Sequence, residues 1–181
     1  VLASYPAEAQ LKTLVYPLTQ VITGVVRIAQ SSRLIPLRFQ CVRFLHQLSA
    51  SAHVDIPTAS TLLEVLRCPD LTKKSKPSTA HAPHVEGLIR FSESEMGTKV
   101  VQDAIFAQAI ELMEQGTDIY RYNVAFPELA APIIASVVKF SKETKVAKWR
   151  GVCKGLTESL GKQSAWVQSR RGTVGEGPGS M

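Results

Sequence analysis

The sequence predicts an all-α fold, a HEAT-like α-solenoid of stacked helical hairpins with one long loop around residues 68–87. Three observations carry this expectation. Apolar residues recur at helical spacing in one stretch after another, prolines stand where helices would take their first turn, and no stretch requires a strand. A compact helical bundle is the alternative that the same pattern allows.

The first helix follows Pro17, with Leu18, Val21, Ile22, Val25, Val26 and Ala29 forming a broad apolar stripe. A second is expected from Pro36, with Leu37, Cys41, Phe44, Leu45 and Leu48 inward and Arg38, Arg43 and Gln47 outward. Pro57 opens a third through Leu62, Leu63, Val65 and Leu66. Residues 68–87 then lose the period: Pro69, Pro77, Pro83, the run Lys73-Lys74-Ser75-Lys76, two histidines and Gly87 read as a long, mobile loop. Leu88–Ser92 is read as extended packing. Helical spacing resumes at about Thr98 with Val100, Val101, Ala104, Ile105, Ala109, Leu112 and Met113, and ends near Gly116. Pro127 opens the next helix, through Leu129, Ile133, Ile134, Val137, Val138 and Phe140. The last runs from Lys145 to Gln168 on Val146, Trp149, Val152, Cys153, Leu156, Leu160 and Trp166. Residues 1–171 are thus expected to form a single helical-repeat region, followed by a flexible Gly-rich tail at 172–181. An aromatic–proline pair opens a very apolar helix twice, at Tyr16-Pro17 and Phe126-Pro127, a faint internal repeat.

A chain of 181 residues buries about 68–70% of its extended surface, enough for a real core. Its 45% apolar and 20% charged content argues against wholesale disorder. Cys41, Cys68 and Cys153 are odd in number and widely spaced, and the first and third lie in apolar helical patterns, so buried free thiols in a reducing compartment are expected. No signal peptide is visible, and the apolar stretch Leu14–Ala29 is too short to span a bilayer and is interrupted by Pro17, Gln20 and Arg27. The first residue is Val1, which suggests a piece of a longer protein.

Charge is the most local feature. Between Lys139 and Arg171 stand nine basic residues against Glu143 and Glu158, whereas residues 1–138 are balanced, with twelve of each sign. The net charge of +6 is therefore concentrated in one region. A solvated lysine face is the ordinary fate of such a run. Here acidic neighbours are nearly absent, and both tryptophans, Trp149 and Trp166, share the helix, so Lys139, Lys142, Lys145, Lys148, Arg150 and Lys154 become candidate contacts for RNA or an acidic partner.

Catalytic chemistry finds little support. Cys68, His81 and His84 lack the second cysteine that a zinc site of that type needs. His46, near a helix end and facing water or partly packed, and His53, in a turn, have no nucleophile–carboxylate pair nearby. Glu93 and Glu95 read as a solvated helix approach, and no phosphate loop or dinucleotide fingerprint occurs. Helices 17–29 and 127–140 are apolar around most of their circumference and call for cover, from within the chain or from another. Tyr16, Pro17, Phe39, Phe126, Pro127 and Trp149 are the candidate packing or partner-interface residues.

These residues bring a known family into view. The blocks Tyr16-Pro17-Leu18-Thr19-Gln20-Val21-Ile22-Thr23-Gly24-Val25-Val26-Arg27 and Pro36-Leu37-Arg38-Phe39-Gln40-Cys41-Val42-Arg43, then Ala125-Phe126-Pro127-Glu128-Leu129 and Thr144-Lys145-Val146-Ala147-Lys148-Trp149-Arg150, resemble those of nucleolar complex protein 2 in order and spacing. Residues 68–87 and Gln30-Ser31-Ser32 depart from that pattern. The resemblance implies a eukaryotic helical-repeat protein of the nucleolus and nucleoplasm, without catalytic residues or cofactors. It further implies pairing with nucleolar complex protein 1 or 3 and association with pre-60S particles and pre-rRNA in large-subunit ribosome biogenesis, with no membrane or small-molecule substrate. A chromatin or transcription regulator with acidic partners, and a HEAT-like transport adaptor, are the alternatives.

Overall fold

The computed structural model describes residues 12–77 and 81–174. Its described residues form eight α-helices and two short 3-10 turns; an isolated bridge between Lys76 and Thr98 is the only strand-like pairing among them. The all-α expectation holds. The chain divides into two compact units, residues 1–119 and 120–181.

In the first unit, α1 (Val15–Ile28) lays Val15, Leu18 and Ile22 on Leu45 and Leu48 at the far end of α2 (Ile35–Ala52) and on Ile56 just beyond it, so the two helices run antiparallel. α2 ends on His53, the one non-glycine residue at positive φ among those described, whose N–H caps Ser49 O in the left-handed geometry usual for a helix C-terminus. The core stripe of α2 is Ile35, Phe39, Val42, Leu45 and Leu48. That register corrects the expected orientation. Arg38 is turned inward, where its guanidinium donates to Glu64 at 2.7 Å and to Thr61 O at 3.3 Å, while Phe44 is left 41% exposed. A buried arginine is tolerable only when paired, and α3 (Ala59–Leu66) supplies the partner. α3 itself begins two residues beyond Pro57, on Leu62, Val65 and Leu66.

The segment 68–87 is less irregular than its proline content suggests. It holds α4 (Pro69–Thr72) and a 3-10 turn at Val85–Gly87, and it buries Leu71 and Val85. Gln102 donates to Asp70 O at 2.8 Å, Arg43 pairs with Glu86 at 2.7 Å, and Gln40 donates to Glu86 O. Residues 78–80 lie outside the described residues. Beyond the segment, Phe91 is fully buried in the extended stretch, bonded through its N–H to Arg33 O and through its carbonyl to Arg33 Nε. Ser92 and Glu95 form a reciprocal capping box that starts α5 (Glu93–Met96), which gives Glu95 a definite part in the solvated helix approach expected there. α6 (Lys99–Ile119) is the central helix, burying Val101, Ile105, Phe106, Ala109, Leu112 and Met113 and running past Gly116.

At Gly116 the reason for glycine is steric. His46 is buried, packed more deeply than the water-facing or partly packed position expected for it, and its Nε2 lies 2.7 Å from Thr58 Oγ1. A Cβ on Gly116 would stand 2.7 Å from that same Nε2. Burial pushes the His46 pKa down to about 4, so the ring is neutral at physiological pH.

The second unit is a helical hairpin. α7 (Phe126–Glu143) and α8 (Ala147–Val174) are joined across residues 144–146. Phe140 stacks on Trp149 beside the turn, with ring centroids 6.3 Å apart, and Glu128 meets Arg171 at the opposite end, which fixes an antiparallel pairing. The seam is Phe126, Ala130, Ile133, Val137 and Phe140 against Trp149, Cys153, Leu156, Leu160 and Val167, all buried. Steps of three and four, with one full step of seven from Leu160 to Val167, are the spacing of a coiled-coil seam. Val152 and Trp166 fall off the seam and are exposed, unlike the expectation that both belong to the apolar face. α8 also continues through residues 172–174 of the expected tail; residues 175–181 lie outside the described residues.

Candidate polyanion-binding face

The hairpin concentrates charge at its turn. Lys139 and Lys142 occupy the end of α7, Lys145 the link, Lys148 and Arg150 the first turn of α8, and Lys154 a further turn along; all six are exposed. The apolar seam causes this. With Phe140, Trp149 and Cys153 turned inward, the intervening basic positions have only solvent to face.

Fold stability does not account for the arrangement. Lysines near the C-terminus of α7 suit its negative dipole end, but Lys148 and Arg150 stand at the positive end of α8, where no acidic residue occurs in the first turn. Cations there cost about 0.3–1 kcal/mol each at low salt. Lys139, Lys142, Lys145, Lys148 and Arg150 form no ion pair among the described residues. Repelling cations at a helix N-terminus, itself rich in free N–H donors, make a surface that an anion would relieve.

Two members of the basic run do find carboxylates, and one comes from outside the run. Lys154 sits 3.7 Å from Glu158, a loose, exposed pair one helical turn along. Arg171 makes a two-pronged bond to Glu128, both contacts at 2.6 Å, which holds the Glu128 carboxyl below its usual range. Sequence counting over 139–171 could not find this partner, because it lies on the other helix.

The candidate packing residues separate clearly. Phe39 lies in the interior of the first unit, and Phe126, Pro127 and Trp149 in that of the second. Pro17 is exposed, and Tyr16 is 72% exposed. They belong to a larger uncovered face on α1, where Leu14, Val21, Val25 and Ile28 recur at helical spacing and remain open, Ile28 at 87%.

Among the described residues no three potential metal ligands gather, and no helix is long and apolar enough to cross a membrane. Cys153 is buried, and burial pushes its thiol up to about 11, so it stays protonated and unreactive. Cys41, Cys68 and Cys153 are free, with Cys41 only half-buried.

Sequence reasoning missed a second cluster on α8. Trp166 is 44% exposed and meets Tyr122 edge-to-face at 5.9 Å, with Arg170 5.4 Å from the Trp166 ring and Arg121 6.0 Å from the Tyr122 ring. The signal was available only as a tryptophan out of step with the seam.

Comparisons with known proteins bear out the family resemblance. The chain is 36% identical to a NOC2 family protein of Schizosaccharomyces pombe over 163 residues, 90% of this chain and 23% of that protein. It is 28% identical to nucleolar complex-associated protein 2 of Arabidopsis thaliana, over 94% of this chain and 22% of the relative. Against nucleolar complex protein 2 of Drosophila melanogaster it is 23% identical, over 91% of this chain and 22% of the relative. The chain therefore spans under a quarter of the length of these relatives. The Noc2p family model matches residues 1–181 from end to end, and the chain belongs to the Noc2p family.

Proposed function

We propose that this chain is a non-enzymatic scaffold in large-subunit ribosome assembly, with the basic turn of the α7–α8 hairpin facing pre-ribosomal RNA. The carrying observation is the set of exposed, unpaired cations at Lys139, Lys142, Lys145, Lys148 and Arg150 on a chain otherwise balanced in charge. Membership in a family whose relatives are named nucleolar complex proteins supports a role in ribosome biogenesis in the nucleolus. The hairpins α1–α2 and α7–α8 serve, in this reading, as HEAT-like repeats of a larger solenoid. The open apolar face of α1 engages the partner, a nucleolar complex protein of the 1 or 3 type, since an uncovered stripe of Leu14, Val21, Val25 and Ile28 is costly to leave in water.

RNA affinity measured against salt tests the basic face. Six phosphate contacts give a log–log slope of about −4 on a single strand and about −5 on a duplex. Reversing Lys145, Lys148, Arg150 and Lys154 to glutamate should flatten that slope while helical content stays unchanged. A slope near zero in the unaltered chain would sink the RNA reading. Release of the full-length protein from pre-60S particles by nuclease separates this reading from a chromatin regulator, which would stay bound to an acidic protein. A transport adaptor would not sediment with the particle at all.

A further inference from the structure

We propose that the Tyr122–Trp166 pair, bracketed by Arg121 and Arg170, is a stacking platform for an unpaired base of single-stranded RNA. The inference rests on the RNA-facing reading of the hairpin and adds to it the form of RNA recognised.

Four observations lead there. First, the two rings are exposed, Tyr122 at 75% and Trp166 at 44%, although a tryptophan gains more than almost any residue by burial. Second, their geometry is held in place. The segment carrying Tyr122 is fastened to α8 by a reciprocal pair of hydrogen bonds, Arg121 Nε donating to Gln163 Oε1 at 3.3 Å and Gln163 Nε2 donating to Arg121 O at 2.8 Å. Third, each ring has its own guanidinium nearby, Arg170 at 5.4 Å from Trp166 and Arg121 at 6.0 Å from Tyr122. Fourth, Lys162 is exposed one turn before Trp166, on the helix that begins with Lys148 and Arg150.

Aromatic faces interleaved with cations match one ligand chemistry well. Bases stack on the rings, or on the planar guanidinium groups, while phosphates meet the positive charge. In a duplex both faces of each base are already stacked, so only a splayed, unpaired base can use the platform. An acidic peptide would use the arginines and leave the rings idle. A single strand uses both.

The chain's two tryptophans provide the readout, because Trp149 is 3% exposed and serves as an internal reference for Trp166. The 181-residue chain is titrated with an unstructured adenine-rich RNA oligonucleotide, with an RNA duplex of equal charge, and with a polyglutamate peptide. The expected result is quenching of the solvent-exposed emission by the single strand alone. Read by the fluorescence anisotropy of an end-labelled oligonucleotide, Trp166→Ala should weaken single-strand binding about 5- to 150-fold, the range for losing one stacked base. Trp166→Phe should restore much of the affinity, and duplex affinity should not change in either variant. Equal binding of strand and duplex, untouched by Trp166→Ala but weakened by reversal of Lys145, Lys148, Arg150 and Lys154, overturns the platform and leaves the basic-turn reading standing. Binding of polyglutamate but of neither RNA overturns both.

Discussion

Gly116 offers the sharpest test of the packing. In the interior of a helix, glycine-to-alanine exchange normally gains about 0.5–1 kcal/mol, because alanine has less backbone freedom to lose. At this position the new methyl group would stand 2.7 Å from His46 Nε2, 3.0 Å from His46 Cε1 and 3.5 Å from Thr58 Oγ1. The imidazole is no flexible side-chain tip: it is 6% exposed and bonded to Thr58 at 2.7 Å. Moving it costs about 1–3 kcal/mol in overpacking, and loss of the Thr58 bond strands buried polar groups at a similar cost. Gly116→Ala should therefore destabilise the first unit by about 1–5 kcal/mol, net of the helix gain. Gly24 and Gly155 are also helical but have open space where a Cβ would go, so Gly24→Ala in the first unit and Gly155→Ala in the second should each gain about 0.5–1 kcal/mol. Urea unfolding followed by circular dichroism reads all three, with unchanged m-values showing that stability alone has moved. If Gly116→Ala matched Gly24→Ala, the close approach of α2, α3 and α6 at His46 would be refuted.

The same histidine predicts a pH dependence. Its folded pKa is lowered to about 4, below the unfolded value of 6.5, so the unfolded chain binds the proton more readily and stability falls as pH drops from about 6.5 towards 4. Allowing for solvent screening, the loss is roughly 2 kcal/mol, and it should vanish in His46→Gln; an undiminished slope in that variant would assign the effect to other groups. Ile133 is 7% exposed in the α7–α8 seam, and Ile133→Asp should cost several kcal/mol by placing a carboxylate among apolar side chains, seen as a lowered melting temperature; an unchanged melting curve would place the residue in water. Val21→Asp and Ile28→Asp alter residues 64% and 87% exposed, so they should leave the fold intact yet abolish capture of a nucleolar complex partner by the full-length protein. Unimpaired capture would sink the α1 docking reading.

The helices were legible in the sequence because each carries a strong 3.6-residue period, and the seam of α7 on α8 was half visible in Ile133, Val137, Trp149, Cys153 and Leu156. What period alone could not supply was rotation. α2 has apolar residues on more than one side, so the choice between burying Phe44 and burying Arg38 depended on Glu64, a residue 26 positions away. The segment 68–87 looked structureless because its order comes from non-local partners, Gln102 for Asp70 and Arg43 for Glu86. In the candidate site, the exposure of the lysines followed from charge, whereas the Tyr122–Trp166 pairing needed the fold to join positions on either side of α7.

The Glu128–Arg171 bond and the Phe140–Trp149 stack close the hairpin at opposite ends, and the more distant of the two pairs is separated by only 43 residues. Contacts so local in sequence favour fast folding, since little chain entropy is surrendered in closing them. The turn carrying Lys142, Lys145 and Lys148 is thus set between two helix ends and is not a segment that must order itself on its ligand. Binding at such a preformed surface loses little conformational entropy, so affinity there should follow charge directly, with little heat-capacity signature of coupled folding.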